Sequence, residues 1–73
     1  NNLTLFCMSA GTDISEHTST KEGFVYVIEG KGTFVLHGKE ITMVPGAIIF
    51  MGANAPHSLK AVENTSFLLS LNN

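Results

Sequence analysis

The sequence predicts an all-β domain that folds as a small barrel or sandwich. No segment shows a helical period of apolar residues, and Val, Ile, Thr and Phe are concentrated in short runs separated by Gly, Pro and Asn. A chain of 73 residues has room for one domain, residues 1–73. Such a small domain buries only about 60% of its unfolded surface, so burial against a second subunit is expected.

Seven short strands follow from these runs. They are predicted at residues 3–8, 24–28, 33–36, 40–44, 47–51, 57–62 and 66–71. Pro45-Gly46 is typical of a type II turn, because Pro sets the first central φ and Gly accepts the positive second one. His37-Gly38 suits a two-residue hairpin loop in which both residues have positive φ.

Composition excludes several classes of partner. The net charge is −2 and the four Lys and Arg residues are scattered, so no basic stripe is available for nucleic acid. No apolar run reaches the roughly 18 residues of a membrane span, and the opening residues lack a signal-peptide pattern. We therefore expect a cytoplasmic protein. The single cysteine, Cys7, cannot form an internal disulfide.

The strand at residues 24–28 is apolar at every position, although one face of a simple barrel strand should meet water. If Val25 and Val27 face the interior, then Phe24, Tyr26 and Ile28 point outward. These three residues are the predicted contact of a homodimer. The outward side chains could instead pack against a second layer of the same chain, but 73 residues leave few for such a layer.

Two segments carry the most specific pattern in the chain. Residues 11–30 place Gly11, His17 and Gly30 in the register of the motif G-x5-H-x-H-x3-E-x6-G, and residues 46–57 place Gly46 and His57 in that of G-x5-P-x-G-x2-H-x3-N. The chain thereby resembles a small single-domain member of the cupin superfamily. This resemblance implies a double-stranded β-helix, also called a jelly-roll β-barrel.

The resemblance also implies a metal site that this chain retains only in part. In metal-binding cupins two His and a Glu of the first motif and one His of the second hold iron, manganese, nickel, copper or zinc. His17 and His57 match two of these positions, but the others are Ser19 and Gly23. Glu22 lies one residue before the Glu position and would reach the pocket only through a bulge. The candidate metal ligands are thus His17, His57 and Glu22.

The second motif departs from the family pattern at three positions. Gly52 stands at the Pro position, Asn54 at the inner Gly and Ala61 at the closing Asn. Asn tolerates the left-handed conformation, so the turn is expected to survive.

Three functions remain open at this stage. The first is a pocket for a small, partly apolar molecule beside the two histidines, lined by Ser19, Val25, Val27 and Met51, without metal. The second is a metal-dependent cupin enzyme, such as a dioxygenase or isomerase. The third is a dimeric structural domain with no site of its own. Met8, Met43, Met51 and Phe50 are interpreted as core filling.

Overall fold

The computed structural model describes residues 2–72, so the predicted domain limits 1 and 73 lie outside the described residues. Eight strands and no helix occur in this range. The strands are β1 (Asn2–Met8), β2 (Asp13–His17), β3 (Gly23–Glu29), β4 (Gly32–Leu36), β5 (Lys39–Met43), β6 (Ile48–Met51), β7 (His57–Ala61) and β8 (Thr65–Leu71). Residues 2–72 accordingly contain no helix of the length and hydrophobicity that a bilayer crossing requires.

The strands form two antiparallel four-stranded sheets. The first sheet has the order β1-β8-β3-β6, and the second has the order β2-β7-β4-β5. Apolar side chains that alternate along the strands meet between the sheets, as the period of two requires. The buried core consists of Val25, Val27, Phe34, Met43, Ile49, Met51, Leu59 and Phe67. This architecture confirms the predicted all-β fold class.

Each of the seven predicted strands corresponds to an observed one, but the eighth, β2, was not predicted. Its sequence Asp-Ile-Ser-Glu-His contains a single apolar residue, Ile14, so neither apolar alternation nor β-branched enrichment marks it as a strand. The interpretation of Phe50 as core filling is wrong, because its side chain is 73% exposed on the outer side of β6. Met43 and Met51 are buried as expected.

The predicted turns adopt the expected backbone conformations. Gly46 has a φ of 91°, while His37 and Gly38, at 50° and 77°, form the two-residue connection between β4 and β5. Asn54 has a φ of 63° at the inner-Gly position of the second motif. The left-handed tolerance of Asn therefore preserves this turn, as predicted.

A bulge in β2 decides where its side chains point. Ile14 pairs with Leu59 and His17 pairs with His57, so three residue steps on β2 match two steps on β7. Residues separated by an odd number of steps in a regular strand would face opposite sides of the sheet. The extra residue of the bulge instead lets Ile14 and His17 face the same side, toward the first sheet.

Candidate functional site

A cavity of about 120 Å³ lies between the two sheets, and both histidines of the cupin motifs line it. Its walls come from seven of the eight strands. They consist of Phe6, Ile14, His17, Val25, Phe34, Met51, His57, Leu59, Phe67 and Leu69. Among these described lining residues, only the two imidazoles carry polar side-chain atoms.

His17 and His57 lie directly opposite each other on β2 and β7. Opposite residues of an antiparallel pair project to the same face of the sheet, so their side chains meet. The ring centroids are 4.2 Å apart and the planes are inclined by 61°. His57 is 7% exposed, whereas His17 is exposed, so His17 stands at the mouth of the cavity and His57 deeper inside.

Both imidazoles use the same ring nitrogen to bind the backbone. His17 Nδ1 lies 2.8 Å from the carbonyl oxygen of Ser15, and His57 Nδ1 lies 2.8 Å from that of Ala55. A carbonyl oxygen only accepts hydrogen bonds, so each Nδ1 must carry the proton. A neutral imidazole protonated at Nδ1 has its lone pair on Nε2. Both histidines therefore offer Nε2 as an acceptor or a metal ligand.

The orientation of His57 is held from a second side by Phe34. The two rings are nearly parallel, with an interplanar angle of 5° and centroids 5.8 Å apart. Phe34 is fully buried, so its own rotamer is held by the core. The Ala55 carbonyl and the Phe34 ring together orient the imidazole of His57.

The four predicted pocket residues fall into two groups. Val25 and Met51 line the cavity together with the histidines. Val27 belongs to the buried core but does not line the cavity. Ser19 also lies outside its walls, and the Ser19 hydroxyl oxygen accepts a hydrogen bond from the backbone N–H of Lys21 at 3.2 Å.

Glu22 does not join the imidazoles. It is exposed and lines a separate surface depression with Phe24, Phe50 and neighbouring residues. The bulges lie between Ile14 and His17 and between Val27 and Glu29, not beside Glu22. Within residues 2–72, no three His, Cys, Asp or Glu side chains form a group that could hold a metal ion.

Gly23, at the Glu position of the motif, lies in a place where a side chain does not fit. A Cβ added there would overlap the backbone carbonyl oxygen of Ser70 and stand 2.9 Å from its carbon and 3.0 Å from a methyl of Leu71. Strand β8 therefore lies against β3 at the point where the side chain of a Glu would leave the backbone. The packing of the two strands therefore excludes a Glu side chain at this position.

The sequence reasoning did not identify most of the cavity wall. Ile14, Phe34 and Leu59 line it from the second sheet, and Phe6, Phe67 and Leu69 line it from the first. Alternation along the predicted strands was the available signal for five of them, since it separates inward from outward positions. Ile14 lies on the strand that was not predicted.

Comparison with known proteins agrees with the architecture and the motifs. The family model described as "Cupin domain" matches residues 4–70. The chain therefore belongs to the cupin family. No curated protein shows a significant match to it.

Solved structures extend the similarity. A conserved protein of unknown function from Streptococcus pyogenes, SPY1581, is 29% identical with a TM-score of 0.90, and the match covers 94% of this chain and 60% of that one. A structure described under the DMSP lyases RdDddP and RnDddQII is 25% identical with a TM-score of 0.90, covering 97% of this chain and 37% of that one.

A third similar structure shares the fold alone. Salicylate 1,2-dioxygenase from Pseudoaminobacter salicylatoxidans, in adducts with gentisate, is 21% identical with a TM-score of 0.88, and the match covers 92% of this chain and 18% of that one. The chain thus spans three fifths of the Streptococcus protein and less than a fifth of the dioxygenase.

Proposed function

We propose that this protein binds a small, largely apolar molecule in the cavity beside His17 and His57. The observation that carries the proposal is the pair of Nδ1 contacts to backbone carbonyls, at 2.8 Å each, which leaves Nε2 of both histidines as the hydrogen-bond acceptors of an otherwise apolar cavity lining. Pockets of this kind, with apolar walls and few polar groups, are typical of small-molecule sites.

The size of the cavity limits the molecule to about one ring. Its volume is about 120 Å³. Apolar cavities of about 150 Å³ in proteins accept benzene, so a single aromatic ring or a short branched chain is the largest group that fits without rearrangement. Because His17 is exposed at the mouth, a longer molecule would extend past it into solvent.

The chemistry of the two imidazoles selects the polar end of the molecule. Each Nε2 accepts a hydrogen bond, so the bound molecule should present a donor such as a phenol, an alcohol or an amine. A simple hydrocarbon would make no hydrogen bond to Nε2 of His57, which costs about 0.5–1.5 kcal/mol of binding free energy. A small phenol or aryl alcohol satisfies both the walls and the imidazoles.

A metal-dependent enzyme is the second candidate, and the same Nδ1 contacts favour it. Metal-bound histidines commonly donate their other ring N–H to a backbone carbonyl. The described residues nevertheless supply two imidazoles and no carboxylate, which does not fit the four-ligand centre that the cupin resemblance implies. Iron, manganese, nickel, copper or zinc held here would need further ligands from solvent or substrate.

Thermal denaturation with small probes separates the two candidates. Phenol, benzyl alcohol and benzene are compared at millimolar concentration with EDTA present, and each of the five metals is tested without it. At a hundred times its Kd, phenol should stabilise the fold by about 2.7 kcal/mol, which raises the Tm by roughly 10–20 °C. Benzene should bind about 2–10-fold more weakly, because it makes no hydrogen bond.

Two histidine variants serve as test and control. His17→Leu should reduce the preference for phenol over benzene, because only Nε2 of His57 then accepts a hydrogen bond. The exposed position of His17 allows the change without unfolding. His37→Asn should leave that preference intact, because His37 lies in the β4–β5 turn and Asn accepts its positive φ. Stabilisation by metals alone, or an unchanged preference in His17→Leu, would contradict the proposal.

A further inference from the structure

The entrance to the cavity lies between edge strands of the two sheets. Most of the lining residues are buried, and the four that are partly or fully exposed are Phe6, Ile14, His17 and Leu69. Three of these four belong to β1 and β2, each of which is the outermost strand of its sheet. Strand β5, at the far edge of the second sheet, contributes no lining residue. The cavity therefore opens to solvent between β1 and β2.

No backbone ladder closes this entrance. Within residues 2–72, β1 pairs with β8 alone and β2 pairs with β7 alone. The connection between them, residues 9–12, is bonded to the second sheet, since the Gly11 N–H donates to the Ala61 carbonyl at 2.8 Å and the Ala61 N–H donates to the Thr12 carbonyl at 2.9 Å. Side chains therefore decide what passes between the two strands.

Phe6 is the side chain at the entrance that has the fewest constraints. His17 is held through Nδ1 by a backbone carbonyl of its own strand, and Leu69 lies on β8, which is paired on both sides. Ile14 is β-branched and therefore stiff at χ1. The Phe6 ring rests on Phe67, with centroids 5.1 Å apart and an interplanar angle of 7°. It can change rotamer without breaking a backbone hydrogen bond.

We propose that the Phe6 ring gates this entrance and determines which molecules reach His57. The inference rests on the proposed function, since it concerns access to the same cavity. With the ring stacked on Phe67, Phe6 covers the β1 side of the entrance and His17 covers the β2 side. A flat single ring passes when Phe6 rotates outward, whereas a bulkier molecule requires β1 and β2 to separate. The gate therefore favours the same class of molecule that the cavity volume selects.

The chemical reactivity of His57 measures the gate without any bound ligand. Diethyl pyrocarbonate acylates a neutral imidazole nitrogen, which is Nε2 when Nδ1 carries the proton. The reagent must pass the entrance to reach His57, which is 7% exposed. His37 is exposed in the β4–β5 turn and serves as an internal reference. Peptide mass spectrometry at a low extent of modification gives the initial rate at His57 relative to that at His37.

Two Phe6 variants test the gate. Phe6→Ala should raise the ratio of the two rates by roughly 2–10-fold, which is the factor by which the loss of one stacked aromatic pair shifts an equilibrium. Phe6→Leu keeps an apolar side chain on β1 but removes the stacked ring, so it should raise the ratio as well. It serves in place of Phe6→Ala if that variant fails to fold. Circular dichroism verifies the fold of each variant.

Ile41→Ala is the matched control. Ile41 is also partly buried against the core on an edge strand, but it does not line the cavity. This variant should leave the ratio unchanged. The inference is overturned if neither Phe6 variant raises the ratio, or if Ile41→Ala raises it equally, because a general loosening of the fold would then explain the change. Failure of the proposed function alone gives a different result: phenol does not stabilise the wild-type fold, yet the Phe6 variants still raise the ratio.

Discussion

Gly23 lies on β3 at a point where the backbone of β8 leaves no room for a side chain. Replacing it with Ala adds a single Cβ, which would overlap the Ser70 carbonyl oxygen and approach Leu71 within 3.0 Å. The nearest atoms belong to the backbone of β8, which cannot move aside as a flexible side chain would. The strands must separate locally or β3 must shift, and either response weakens the pairing of β3 with β8.

The expected cost of Gly23→Ala follows from known cases of overpacking, at about 1–3 kcal/mol. A 73-residue domain has a total stability of roughly 4–11 kcal/mol. The substitution should therefore lower the Tm by roughly 5–20 °C. Gly23→Glu should cost at least as much and should not create a metal site, although it restores the carboxylate of the family motif.

Gly52→Ala is the matched control, because a Cβ there meets nothing within 4 Å. Its stability should stay equal to wild type or rise by about 0.4–1 kcal/mol through the reduced entropy of the unfolded chain. Urea and thermal unfolding of the three proteins, followed by circular dichroism at one protein concentration, provide the comparison. The reasoning is refuted if Gly23→Ala unfolds at the same denaturant concentration as Gly52→Ala.

Substitutions at two further positions test local features of the fold. The buried Thr65 hydroxyl accepts from the Lys31 N–H at 3.2 Å and lies 2.8 Å from the Glu63 carbonyl, so Thr65→Val should cost about 1–3 kcal/mol in urea unfolding. An unchanged unfolding midpoint would show that water replaces the hydroxyl. Asn54, at a φ of 63°, should lose about 1–2 kcal/mol when changed to Ala but not when changed to Gly. Equal stability of these two variants would remove the left-handed backbone as the reason for Asn.

The fold was predictable from sequence because its strands are short, apolar and separated by turn residues with fixed backbone requirements. The turns at His37-Gly38 and Pro45-Gly46 need positive φ at His37, Gly38 and Gly46, and the structure shows it at all three. Strand β2 was not predictable by the same route. It becomes a strand by pairing with β7, which lies far away along the chain, and its own polar residues show little alternation.

Phe50 illustrates why burial was harder to predict than strand position. In β6 every residue is apolar, so composition does not tell which side faces the core. The register with β3 decides it, since Phe50 pairs with outward Phe24 while Ile49 pairs with inward Val25. The homodimer remains a prediction.

The sequence by itself determined the cupin fold, since the spacing of His17, His57 and the motif glycines is a property of the chain alone. Only the tertiary structure decided what those histidines face. The bulge in β2 turns His17 inward, two backbone carbonyls hold both Nδ1 protons, and the approach of β8 to Gly23 leaves no room for the missing carboxylate. These outcomes depend on contacts between segments far apart in the chain, which local pattern does not encode.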